Sequence, residues 1–278
     1  MTKKKKGNNK TTTSLWVIVV LAIVIYVAQM LAQENKPQHQ EKYTELENII
    51  IPEGMTNETH TYTGFTVYFN KDTHIPNCTA YELTCKETQG DVPRAKNFLE
   101  DPNLEGSATH YDYTYSGYDR GHMVPAGDMK WNEQAMQECF YMTNIIPQKK
   151  ALNSGAWNKL EQKIRNWAER DSALIVLTGP IVKPEDLANT IGDINVVVPG
   201  NIFKVVLAPY VTPMRAIAFI YPNEKAKGGL DKHVVSVDAV EEATGMDFFS
   251  VLPDDVETVI ESTSDLNQWN MHQFCIFV

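Results

Sequence analysis

Residues Asp119, Arg120, Gly121 and His122 place an acid, a permanent cation and an imidazole side by side in this 278-residue chain. An imidazole changes charge near neutral pH and can serve as a general base. A guanidinium matches phosphate oxygens through its planar fork of donors. A second polar cluster follows about 30 residues on, with Asn144, Asn153, Glu161 and Arg165. An asparagine carbonyl with waters suits a hard ion such as Mg2+. Arg94 adds a cation upstream. A base beside a metal, with arginines to hold developing negative charge, is the equipment for hydrolysing a phosphate ester. Each residue alone has an ordinary use. His122 reads as a satisfied structural histidine, and Asp119 with Arg120 as a surface ion pair worth little. Asn153 reads as a turn residue, and Glu161 with Arg165 as a helical i,i+4 pair.

The elements that must hold these residues are legible in part. "TYTGFTVYF" (61–69) alternates and is rich in β-formers, so a strand is expected there, with another at "TAYELTC" (79–85). Arg94 to Tyr115 is polar and turn-rich. From Ser154, an expected N-cap, Trp157, Leu160, Ile164, Trp167 and Ala168 recur at helical spacing. That period marks Trp157 and Trp167 as core rather than as base-stacking platforms. On an ideal helix Asn153 and Glu161 are separated by a rise of about 12 Å and a net turn of about 80°. A direct metal bond from Asn153 and a water-mediated one from Glu161 is the easier arrangement. Buried strands are expected at 173–180, 194–200, 202–210 and 214–222, helices at 236–244 and 254–261, and a last strand in "QFCIFV" (273–278). Strands and helices mix without a βαβ rhythm, which indicates an α+β fold.

Ahead of this domain the sequence changes character. Five lysines fall within residues 1–14, followed by 18 uncharged residues, 15–32. That run just reaches the length of a membrane span. It favours a single N-terminal transmembrane anchor with a cytoplasmic N-terminus and the remaining chain outside. A cleaved signal is the competing reading, but a cut after Ala32 or Ala28 sets Met30 or Tyr26 at the position that wants a small residue. Residues 33–60 read as a stalk and 61–278 as the catalytic domain. Net charge is −10 overall. Without the five lysines, the outer part has 20 basic and 35 acidic residues, a net of −15. Residues 91–170 are nearly balanced, at 10 basic and 11 acidic, so a polyanion is expected there if anywhere. Lys149 and Lys150 fit equally a phosphate-tracking pair and a solvated loop. Of four cysteines, Cys78 and Cys85 are spaced to bridge a turn, Cys139 and Cys275 complete an even number, and no spacing matches a zinc site. Free buried cysteines are the alternative.

The segments "RAKNF" (94–98), "YDRGHMVPAGDM" (118–129), "FYMTNIIPQ" (140–148), "LNSGAWNKLE" (152–161) and "VLTGPI" (176–181) occur in an order that resembles the DNA/RNA non-specific endonucleases of ββα-metal fold. "SVDAVEEATGMDFF" (236–249) resembles that family's C-terminal helix. The resemblance covers about residues 60–278. It implies His122 as general base, Asn153 as the sole direct protein ligand of Mg2+ (with Mn2+ as a substitute), and Glu161 holding the metal through water. It further implies Arg120 beside the base, Arg94 near the scissile phosphate, and Asn144 as a support of the site. The expected activity is metal-dependent, sequence-non-specific cleavage of DNA or RNA, and the sequence is compatible with a homodimer. The anchor and the acidic flank are departures from the family pattern. Two other readings fit them: an exported phosphodiesterase acting on a small or lipid-linked substrate, and a non-catalytic exported binding module of the same fold.

Overall fold

The computed structural model describes residues 44–270. The chain divides into Met1–Thr44 and Glu45–Val278, and the second unit holds the strands and α-helices. Its strands are β1 (Ile49–Ile50), β2 (Glu58–Thr61), β3 (Thr66–Asn70), β4 (Ile75–Thr84), β5 (Asp119–His122), β6 (Ile145–Gln148) and β7 (Ala173–Ile181). They continue as β8 (Thr190–Ile191), β9 (Val196–Val197), β10 (Asn201–Ala208), β11 (Arg215–Pro222), β12 (Val234–Val235) and β13 (Asp247–Phe248). The α-helices are α1 (Glu133–Glu138), α2 (Asn158–Asp171), α3 (Val237–Thr244) and α4 (Asp254–Glu261).

A seven-stranded sheet in the order β12-β11-β10-β7-β4-β3-β2 forms the frame, and every neighbouring pair in it is antiparallel. The expected α+β class holds. Its central strands are buried on both faces, so they lack the polar alternation of a half-exposed sheet. On β10, Ile202, Val206 and Ala208 join the core that contains Trp157, Leu160 and Ile164 of the α2 region. Phe203, on the other face, meets Phe248 at 5.9 Å between ring centroids, on the side where α3 and α4 lie. Along α2, Leu160, Ile164, Trp167 and Ala168 are all buried, as their period requires.

A separate antiparallel pair, β5 with β6, sits ahead of α2 in the chain, with His122 opposite Ile145 and Asp119 opposite Gln148. This pair and α2 make the two strands and one helix that position the polar clusters. Gly121 is required here: a Cβ would lie 2.3 Å from Oε1 of Gln148 and 2.6 Å from its Cβ.

Several expectations need correction. The strand expected over 61–69 is a hairpin, β2 and β3, because the chain turns at Thr63–Gly64. The stalk expected to residue 60 is folded from Thr44 on: Leu46 is buried and Ile49 pairs with Phe248. Ser154 does not cap α2. Residues Leu152–Trp157 form a wide π-type turn that Gly155 breaks (φ −105°, ψ −109°), and no side chain caps the helix that follows. The strand expected over 194–200 shrinks to β9. A Cys78–Cys85 bridge is excluded. Cys78 lies within β4 and carries no disulfide, and seven extended residues span about 23 Å. The expected membrane span at 15–32 and the last strand at 273–278 lie outside the described residues. Among the described residues no helix is long and apolar enough to cross a membrane.

Candidate active site

The two polar clusters meet in one cavity of about 350 Å³, lined among others by Arg94, Arg120, His122, Asn153, Glu161 and Arg165. His122 ends β5, and its ring packs against Phe140 (4.7 Å, edge-on) and Phe98 (5.2 Å). The side chain is buried and its Nε2 has no hydrogen-bond partner. Burial, with the Arg94 charge adding, pushes His122 down to about 3, so the imidazole is neutral at ordinary pH. Arg94 lies over the Phe140 ring and Arg120 over the Phe98 ring, each 4.9 Å from the centroid. The same two rings that confine the imidazole thus also carry the two guanidinium groups.

Asn153 and Glu161 reach the same cavity because the Leu152–Trp157 turn is not an ideal helix, so the offset expected for eight helical residues does not apply. Asn153 Nδ2 donates to Asp119 Oδ2 at 3.0 Å. An ionised carboxylate only accepts, so this bond fixes the amide nitrogen and leaves Oδ1 as the remaining acceptor. Glu161 is raised above the usual carboxylate range, first by burial and then by Asp128, against the pull of Lys204, Arg165 and Arg94.

Asn144, named with the site on sequence grounds, does not line the cavity. It is fully buried and spends its side chain on backbone, accepting from Val124 N (2.9 Å) and donating to Val124 O (3.0 Å) and Cys139 O (2.7 Å). It fixes the chain directly after His122. Asp119, which alone reads as half of a surface ion pair, instead orients Asn153. Lys149 lies 3.7 Å from the centroid of the Tyr118 ring, and Lys150 is exposed.

Two residues escaped the sequence reading. Asp128 is buried and binds Arg165 Nη1 (2.6 Å) and Tyr81 Oη (2.6 Å), which ties α2 to β4 behind the cavity. Lys204, in the middle of β10, is fully buried: its Nζ donates to Thr178 Oγ1 (2.7 Å) and lies 5.0 Å from the Trp157 ring centroid. Burial lowers its affinity for a proton, and Glu161 is the largest charge opposing that. A single charged residue inside "IFKVVLA", and the one acid in "VPAGDM", were the available signals.

The model of the DNA/RNA non-specific endonuclease family matches residues 42–255. The chain is similar to the mitochondrial nuclease EXOG of Homo sapiens, 34% identical over 209 residues, which is 69% of this chain and 57% of that protein. It is also similar to Nuclease C1 of Cunninghamella echinulata var. echinulata, 33% identical, covering 70% of this chain and 83% of that one. A chain in the crystal structure of the EndoG/EndoGI complex superposes with a TM-score of 0.66 at 25% identity, covering 70% of this chain and 86% of that chain. The alignment spans less than two thirds of the EXOG relatives' own length. With most of its length matched, this chain belongs to the DNA/RNA non-specific endonuclease family.

Proposed function

We propose that the chain is a metal-dependent endonuclease that hydrolyses phosphodiester bonds of DNA or RNA with little sequence preference. The observation that carries this reading is the shared cavity. A neutral histidine lines it together with Arg94, Arg120, Asn153 and Glu161. The residues fit a hard divalent ion, because Asn153 keeps a carbonyl oxygen unspent and Glu161 adds a carboxylate. Asn153 would hold Mg2+, or Mn2+ in its place, directly and Glu161 through water. When bound, the ion supplies positive charge for the developing phosphate charge and the leaving oxygen.

The chain's own residues do the rest. The imidazole of His122 takes the proton of the attacking water. Arg120 and Arg94, braced on Phe98 and Phe140, hold the phosphate oxygens in a fixed orientation. The bond between phosphorus and the 3′ oxygen breaks, and the 5′ side keeps the phosphate. Contacts of this kind read backbone rather than base edges, so sequence preference is weak.

The test is cleavage of plasmid and of RNA by the chain, with Mg2+ or a chelator, beside His122→Ala. Removing a general base costs about 10²- to 10⁴-fold, and a loss of that size with retained folding is expected. Full activity in His122→Ala, or none in the intact chain across several divalent ions, overturns the reading. We also propose that residues 15–32 anchor the domain on the outer side of a membrane, as the lysine-rich tip suggests. Protease added to intact cells should then remove the domain, and protection of the domain would reverse the orientation.

A further inference from the structure

On the face of the sheet away from the cavity, α3 and α4 bring together carboxylates that the cleavage chemistry does not use. Asp238 and Glu241 lie three residues apart on α3, hence on one side of it. Glu261 ends α4. One ligand oxygen from each of the three lies within 4.8 Å of the others. Among the described residues no lysine, arginine or histidine forms an ion pair with any of them. Glu241 spends one oxygen on the Phe248 N–H at 2.8 Å.

Glu261 is the decisive member. It is only 7% exposed, and its buried Oε1 has no hydrogen-bond partner. An ionised carboxylate in that state costs several kcal/mol unless something neutralises it. Burial, then Glu241, Glu257, Asp238 and Asp247, push Glu261 up to about 8, which measures how poorly the surroundings accept its charge.

We propose that Asp238, Glu241 and Glu261 form a structural Ca2+ site that pins α3 to α4. Ca2+ bonds oxygens at about 2.3–2.6 Å, so two of its ligands on opposite sides stand about 4.6–5.2 Å apart. Three oxygens this close lie at most about 2.8 Å from a common centre, so small side-chain shifts bring all three to one ion. Asp238 is exposed, which gives the ion an entry path and leaves room for the waters that complete its shell. The ion supplies the positive partner that the Glu261 carboxylate lacks among the described residues. Three carboxylates on two short helices correspond to a modest affinity, about 10⁻⁴ to 10⁻³ M.

The test uses the full chain carrying Asn153→Ala, so that the cavity's own metal ligand does not contribute. Calorimetric titration with Ca2+ should give one ion per chain, with a Tm that rises and saturates over the same range. Asp238→Asn, at an exposed position that tolerates the change, and Glu261→Gln should each weaken binding by at least about tenfold and flatten the Tm response. Three results overturn the proposal. One is no Ca2+-dependent heat or Tm shift. Another is a response that both substitutions leave intact. The third is a Glu261→Gln chain that melts higher than its parent with neither responding to Ca2+, since the group would then be holding a proton.

Discussion

The imidazole of His122 is held neutral by its surroundings, and that has a measurable consequence. Its folded value, about 3, lies below the ordinary 6.5. As pH falls below about 6.5 the unfolded chain takes up this proton before the folded chain does. The stability linked to His122 is thus fully present above about 6.5 and is lost progressively as pH falls toward 3. A histidine titration followed by NMR on the chain free of substrate should show one imidazole titrating well below 6.5. Arg94→Ala should move it upward only in part, because burial is the larger cause and the Arg94 charge the smaller. A His122 that titrates near 6.5 would show that the site is open to water. The residues that line the cavity were named from sequence because their motifs follow the order of a family and their chemistry fits one task, whereas Asn144, named with them, braces backbone instead. Lys204 was not legible. A lone lysine in a strand sequence reads as an edge or surface residue, and only the sheet order reveals that β10 lies between β7 and β11, with α2 covering one face.

The cavity depends on how α2 is seated, and Asp128 seats it. Its carboxylate is 1% exposed and joins Arg165 on α2 to Tyr81 on β4. Removing one partner of a buried ion pair costs about 3–5 kcal/mol, because the other charge remains buried. Asp128→Ala should lose stability on that scale and shift the cavity wall at Arg165, so activity falls with it. Arg165→Ala leaves the more deeply buried Asp128 carboxylate with only the Tyr81 hydrogen bond and should cost at least as much. The double variant should cost less than the sum of the two, as shared partners require. Additive losses measured by urea unfolding would show that the pair is not coupled. The helix period of α2 was visible in sequence, since its apolar spacing follows directly from packing on a sheet. The turn that leads into it was not. A serine ahead of a helix normally signals a cap, but Gly155 leaves the helical region and opens a wider turn. That break is what lets Asn153 and Glu161 share a cavity, and no pattern in "LNSGAW" distinguishes it from a capped start. The hairpin at β2–β3 escaped for a related reason: "TYTGFTVYF" is rich in β-formers on both sides of its own turn, and only Gly64 marks the break.

At the scale of the molecule, charge is the property that bears on function. Composition makes residues 33–278 acidic and leaves residues 91–170 nearly neutral. The cavity gathers Arg94, Arg120 and Arg165 from that same stretch. The order of strands in the large sheet could not be read, because pairing such as β4 with β7 joins segments about 100 residues apart. A polyanion meeting this protein gains affinity from those few arginines against a repelling background. Each phosphate neutralised releases condensed counterions, with a slope of log K against log salt of about −0.9 per contact on duplex DNA and about −0.7 on single strands. Arg165 is already bound to Asp128, so Arg94 and Arg120 are the principal contributors. Binding to duplex DNA, measured with His122→Ala to prevent cleavage, should show a slope of about −2, and Arg120→Ala should reduce its size by about 1. A slope near zero, unchanged by Arg120→Ala, would point instead to a small phosphodiester substrate held within the cavity, where one phosphate is bound and no counterion atmosphere is displaced.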